Sequence, residues 1–145
     1  MKKLLLALPL LALTSTATLA DPYADRTAIM KSFGEAMKVL VPTVKGEAAY
    51  DAAAVAAALG KIGEGAAKID VAALFPAGSN TGESIASPKI WENMADFTAR
   101  MDKFKAAAAA AATANPADVE AFKATFGPLA GNCGECHENY RIKKG

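Results

Sequence analysis

The chain has 145 residues, 52% hydrophobic, 7% aromatic and 21% charged, with 16 lysines and arginines against 15 aspartates and glutamates. These figures fit one globular domain and exclude a disordered chain, a collagen-like repeat or a disulfide scaffold. A nucleic-acid binder needs a marked excess of positive charge, and the balance here rules that class out.

Lys2 and Lys3 precede an apolar run from Leu4 to Leu13, and small and hydroxyl residues follow up to Thr18-Leu19-Ala20. Charge, apolar core and small-residue site in that order mark a secretory signal peptide, and the run is too short to span a bilayer. Residues 1–20 are therefore expected to be removed on export, leaving 21–145 as the domain, with no stable membrane insertion. Without Lys2 and Lys3, 14 basic residues face 15 acidic ones, a net charge of −1, and no basic patch for a membrane or polyanion stands out.

The rest of the chain has helical hydrophobic spacing and no run of strict alternation. The first helix is predicted to begin near Tyr23 or Ala24, after Asp21-Pro22. It aligns Ile29, Met30, Phe33, Met37, Leu40 and Val41 before Pro42 and Gly46 end it. The second opens on Asp51 as N-cap and repeats Val55, Leu59, Ile62, Ala66 and Ile69 in steps of four and three. From Asp70 to Ser87 the pattern lapses around Pro76, Gly78, Asn80 and Gly82, an irregular connection.

Ser87-Pro88 then reads as N-cap and first-turn proline of a third helix carrying Ile90, Met94, Phe97, Met101, Phe104 and Ala108. Its Ala106–Ala112 run is helix, because alanine is the best helix former and lets a neighbour approach closely. Asn115-Pro116 repeats the capping device ahead of a fourth helix with Val119, Phe122, Phe126, Leu129, Cys133, Cys136 and Tyr140 on one stripe. Gly127-Pro128 is a site for a kink. Four amphipathic helices, with short links between the first and last pairs, predict an all-α, antiparallel up-down-up-down four-helix bundle.

Cys133-Gly134-Glu135-Cys136-His137 holds the only cysteines and the only histidine in the chain. The pattern C-x-x-C-H attaches haem c covalently: two thiols add to the porphyrin vinyl groups as thioethers, and the histidine binds the iron from the same side. Three other chemistries use parts of it. A thioredoxin-like pair needs an α/β setting, and no strand is predicted. Zinc needs a fourth ligand that no other cysteine or histidine supplies. A disulfide at i and i+3 of a helix has poor geometry and leaves His137 unused. Export agrees with haem c, whose attachment takes place outside the bacterial cytoplasm.

No methionine follows His137, so any sixth ligand must come from upstream, where Met30, Met37, Met94 and Met101 are the candidates. In the bundle, the end of helix four shares a level with the starts of helices one and three. At 1.5 Å per residue Met30 and Met94 sit about 9 Å up from that end, and Met37 and Met101 about 10 Å farther. Met30 and Met94 both remain candidates on this arithmetic.

The segment Cys133–His137 with Glu138-Asn139-Tyr140-Arg141 close behind it resembles the class II c-type cytochromes. These are the cytochromes c prime and their low-spin relatives, the cytochromes c five-fifty-six. The similarity extends through Val44–Asp51 and the Ser87-Pro88-Lys89-Ile90-Trp91 opening of helix three. It implies one covalent haem c per chain and, in low-spin members, an early helix-one methionine in a context like Ile29-Met30-Lys31 on the iron. It thus favours Met30 over Met94. Arg26, one turn before Met30, is placed to pair with a haem propionate, and Arg141 matches the family's basic residue beside the histidine. Phe33, Phe126 and Tyr140 are expected to wall the haem pocket or the core, and Trp91 to pack.

With His137 and Met30 filling both axial positions, the resemblance implies a periplasmic one-electron carrier. Its partners are other periplasmic redox proteins, met through small, transient interfaces. The alternative is a five-coordinate cytochrome c prime that binds nitric oxide or carbon monoxide, with Met30 only packing over the iron. An enzyme such as a peroxidase is not expected, since no second histidine serves as a distal acid or base. Near-neutral charge and apolar helix faces are compatible with a homodimer.

Overall fold

The computed structural model describes residues 21–143, so the expected signal peptide lies outside the described residues. Six helices follow in order: α1 (Pro22–Lys45), α2 (Ala52–Ala67), α3 (Val71–Leu74), α4 (Lys89–Glu92), α5 (Met94–Thr113) and α6 (Val119–Tyr140). The long helices α1, α2, α5 and α6 form the predicted four-helix bundle. The two short ones interrupt the long connection between α2 and α5, and there is no strand among the described residues.

Aspartates set the helix starts. Asp21 accepts from the Tyr23 amide at 3.0 Å, Asp51 from Ala53 at 2.9 Å, Asp70 from Ala72 at 2.9 Å and Asp118 from Ala121 at 2.8 Å. Each satisfies an amide that no carbonyl within its helix reaches. The first two starts agree with the sequence reading, but the last two long helices do not begin where expected.

Asn115-Pro116 is not the cap of the fourth helix. Asn115 has φ 41°, Pro116 is buried with its carbonyl accepting from Tyr50 Oη, and α6 starts only after Asp118. Asparagine tolerates the left-handed region better than most residues, so it turns the chain there instead of capping it. Ser87 does accept from the Lys89 amide at 3.3 Å, but the helix it opens is the single turn α4, broken at Asn93 (φ −137°, ψ 57°). Trp91 accounts for the break. Its indole N–H donates to the carbonyls of Phe75 and Pro76 at 3.1 and 3.0 Å, tying α4 to the connection, so α5 starts afresh at Met94.

Pro42 does not end α1, which continues to Lys45 and closes at Gly46 with φ 75°. This near the terminus a proline removes only the hydrogen bond to the Lys38 carbonyl, and Thr43 Oγ1 donates to the next carbonyl, Val39, at 2.9 Å. The alanine run is helix, as predicted, and Ala108 and Ala111 are buried against α2 and its neighbours.

Two glycines explain how closely α2 approaches its neighbours. A Cβ on Gly63 would stand 2.7 Å from Ala112 Cβ, and one on Gly65 would stand 2.5 Å from the Phe33 ring. Phe33 in turn meets Phe104 edge-on at 5.6 Å, joining α1 to α5 through the gap that Gly65 leaves. Fully buried Leu40, Val55, Leu59, Ile62, Phe97, Phe122 and Leu129 complete the core, each contributing about 1.5–3 kcal/mol by leaving water. Of the four seams around the bundle, the one between α1 and α6 is the most sparsely packed.

Candidate functional site

The last three turns of α6 carry Cys133, Cys136 and His137. Both cysteines are free thiols, half-buried and packed against the core, one helical turn apart. Burial pushes both thiols above their ordinary pKa. A redox thiol works by the opposite shift, since its thiolate must be stabilised. Among the described residues no group of three or more His, Cys, Asp and Glu is arranged to hold a metal ion.

His137 is exposed at its outer edge, yet desolvation by the surrounding protein, and then the charge of Arg141, lower its pKa. Neutral imidazole, the form that binds a metal, is thereby favoured. Two protonated thiols and a neutral imidazole on consecutive turns match what thioether attachment and axial ligation of haem c require.

On α1, Arg26, Met30, Phe33, Met37 and Leu40 fall on one side of the helix by their spacing. Arg26 is 7% exposed, Phe33 8% and Leu40 fully buried, but Met30 on the same stripe is 40% exposed. A methionine on this stripe that still meets solvent marks a place where the bundle leaves α1 uncovered. Met94 is differently placed. It is the first residue of α5, not the sixth of its helix as expected, and with Thr98, Asp102 and Lys105 it lines a groove against Ile69, Val71 and Phe75. The α6-facing side of α5 is that of Asp96, Arg100 and Lys103, which border a second groove with Cys136 and Glu135. Met94 and Asp96 are two positions apart, about 200° around a helix, so Met94 faces away from the side that borders Cys136.

The remaining sequence candidates have defined partners. Arg26 donates to the carbonyl of Leu74 (2.5 Å), the carbonyl and hydroxyl of Ser79 (2.7 and 3.0 Å) and the hydroxyl of Ser84 (3.5 Å). Its guanidinium also lies 5.0 Å from the centre of the Phe75 ring, and burial lowers its pKa. Phe33 is a core residue under Gly65, Phe126 stacks on Phe122, and Tyr140 packs edge-on to Phe97 at 5.2 Å. Arg141 is exposed and pairs with Ala86 in an isolated antiparallel bridge.

Sequence reasoning missed Asp96 and Arg100, which join at 2.6 Å and reach Tyr140 and Glu135. Their i,i+4 spacing was a readable signal for the pair, but nothing local signalled the link to α6. It also missed Ser79 and Ser84, whose role rests on contacts with α1 across some fifty residues of chain.

The family model for Cytochrome C' matches residues 21–141. The chain is 44% identical over 125 residues to a cytochrome c' of Rhodopseudomonas palustris, covering 86% of this chain and 84% of that one. It is 40% identical over 125 residues to a cytochrome c-556 of Agrobacterium tumefaciens, covering 86% of this chain and all of the other. The solved structure of a cytochrome c' from Rhodopseudomonas palustris superposes with a TM-score of 0.78 at 42% identity, covering 87% of this chain and 99% of that one. Proteins of both kinds carry covalent haem c, for which Cys133, Cys136 and His137 have the required chemistry. The chain therefore belongs to the cytochrome c' family, as a helical-bundle haem c protein.

Proposed function

We propose that this protein is a periplasmic one-electron carrier with a low-spin haem c, held covalently by Cys133 and Cys136 and bound axially by His137 and Met30. Haem iron supplies the one-electron couple when bound. The chain's part is to occupy both axial positions with side chains on long helices, so that no substrate site is left and little rearrangement accompanies electron exchange. A thioether ligand favours the reduced state, and the apolar core around the site favours the less charged one.

The observation that carries this reading is Met30, the single solvent-exposed member of the inward stripe of α1 between buried Arg26 and Phe33. Met94, the other candidate methionine, is turned toward α2 and α3. The export-signal pattern of residues 1–20 and the extracytoplasmic chemistry of haem attachment support the periplasm, and no helix among the described residues is long and apolar enough to cross a membrane. Partners are other periplasmic redox proteins met transiently.

The 44% identity to a cytochrome c' favours a second reading, in which Met30 only packs and the iron binds nitric oxide or carbon monoxide. Optical spectra of the exported protein, oxidised and reduced, with and without carbon monoxide, separate the two. Sharp reduced bands, a weak sulfur-to-iron absorption in the oxidised form and no carbon monoxide shift are expected. A broad high-spin spectrum that sharpens with carbon monoxide overturns the proposal in favour of gas binding.

A further inference from the structure

The connection between α3 and α4 is fastened at both ends to the two helices that carry the axial ligands. At its start, the Arg26 guanidinium reaches the carbonyls of Leu74 and Ser79 and two serine hydroxyls. At its end, the Ser87 amide donates to the Tyr140 carbonyl at 2.9 Å and the Ile142 amide donates to the Ile85 carbonyl at 2.8 Å, flanking the Ala86–Arg141 bridge. Arg26 lies one turn before Met30 on α1, and Arg141 one turn after His137 on α6.

Arg26 is 7% exposed and these acceptors are all neutral oxygens. A buried guanidinium needs its donors met in fixed geometry, and its planar fork holds several acceptors at set positions at once. The clamp therefore fixes the connection to α1, and the bridge fixes it to α6, across the seam where those helices pack least.

We infer that residues 74–87 act as a strap that sets the separation of the Met30 and His137 turns, with Arg26 and the Ile85–Ile142 hydrogen bond as positioning elements for the sixth ligand. This inference rests on His/Met ligation. A slack strap lets the Met30 turn drift from the His137 turn and leaves the sixth position open part of the time.

Two variants of the exported haem protein test each anchor beside the parent. Arg26→Gln removes the fork. Ile142→Pro removes the bridge donor, and the preceding Arg141 already has the extended backbone that a proline demands (φ −114°, ψ 133°). Because hydrogen bonds from a charged group hold an equilibrium by about tenfold or more, carbon monoxide association to reduced Arg26→Gln should be at least tenfold faster than to the parent. Ile142→Pro should accelerate it severalfold, and both should lose intensity in the oxidised sulfur-to-iron band. If both fold and match the parent in rate and band, or if only one differs, the strap is overturned while His/Met ligation stands. A parent that binds carbon monoxide freely overturns both. Should Arg26→Gln fail to fold, Ile142→Pro decides, since Ile142 is an exposed residue beyond α6.

Discussion

Tyr140 Oη donates to Asp96 Oδ2 at 2.5 Å, and Arg100 Nε donates to the same oxygen at 2.6 Å. The last residue of α6 is thus fastened to the first turn of α5, three residues after His137 and on the α5 face that borders Cys136. The phenol meets Asp96 with its oxygen and Phe97 with its ring edge, so one side chain serves both the polar network and the core. Whatever loosens this pair frees the end of the helix that presents the imidazole.

The pair carries a pH signature. Hydrogen bonds from Arg100 first and Tyr140 second hold the Asp96 carboxyl below its usual pKa. A carboxylate lowered in the folded state stabilises above its unfolded value of about 3.9, and that contribution is lost as pH falls through the lower folded value. Urea midpoints measured down to about pH 2 should therefore fall less steeply in Asp96→Asn than in the parent, with most of the slope kept in Tyr140→Phe. Tyr140 is raised by its bond to Asp96, so its contribution is complete below about pH 10 and lost above it. Equal acid slopes in parent and Asp96→Asn would show that the bond adds no folding stability.

Adding one methyl group should have opposite effects at two glycines. At Gly65 the new Cβ would meet the Phe33 ring at 2.5 Å, inside the α1–α2–α5 contact, and overpacking costs about 1–3 kcal/mol. At Gly34, in the interior of α1 with nothing within 4 Å, the same change should stabilise by about 0.5–1 kcal/mol through backbone entropy and helix propensity. Chemical denaturation of Gly65→Ala and Gly34→Ala against the parent reads both. A Gly65→Ala protein as stable as the parent would mean that Phe33 moves aside freely.

The start of α6 offers another contrast. Asp118→Ala removes the side-chain acceptor of the Ala121 amide and should cost about 1 kcal/mol, the usual value of a lost N-cap. Asn115→Gly should be neutral or slightly stabilising, because glycine adopts φ 41° without penalty. Thermal unfolding of the two variants checks the cap assignment. A larger loss at Asn115 would restore it as the capping residue.

The sequence reading succeeded where periodicity and local chemistry act over one or two turns. The stripe Val55, Leu59, Ile62, Ala66 and the cap Asp51 were legible because helix spacing and capping are local rules. The haem c cofactor was legible because its attachment motif, Cys133 to His137, spans five consecutive residues. It failed where distant parts of the chain decide. Asn93 breaks a helix because Trp91 is bonded to carbonyls fifteen and sixteen residues away, and Arg26 is committed to oxygens forty-eight or more residues on. Asn115 failed for another reason: asparagine serves as N-cap and as left-handed turn residue alike, and the neighbouring Asp118 took the cap.

The ligand assignment predicts a difference between two otherwise similar substitutions. Met30→Leu and Met94→Leu each replace a thioether by a side chain of nearly equal volume, a change that costs less than about 1.5 kcal/mol in a core, so both proteins should fold and take up haem. Only Met30→Leu removes sulfur from the α1 stripe that carries Arg26 and Phe33, and it should lose the oxidised sulfur-to-iron band and bind carbon monoxide at once. Met94→Leu changes a groove wall facing Ile69, Val71 and Phe75, and its spectrum should match the parent's. Loss of the thioether favours the oxidised state, so the reduction potential of Met30→Leu should fall while that of Met94→Leu stays. A parent-like spectrum from Met30→Leu with a changed one from Met94→Leu would move the sixth ligand to α5 and, with it, require the first turn of that helix to rotate toward Cys136.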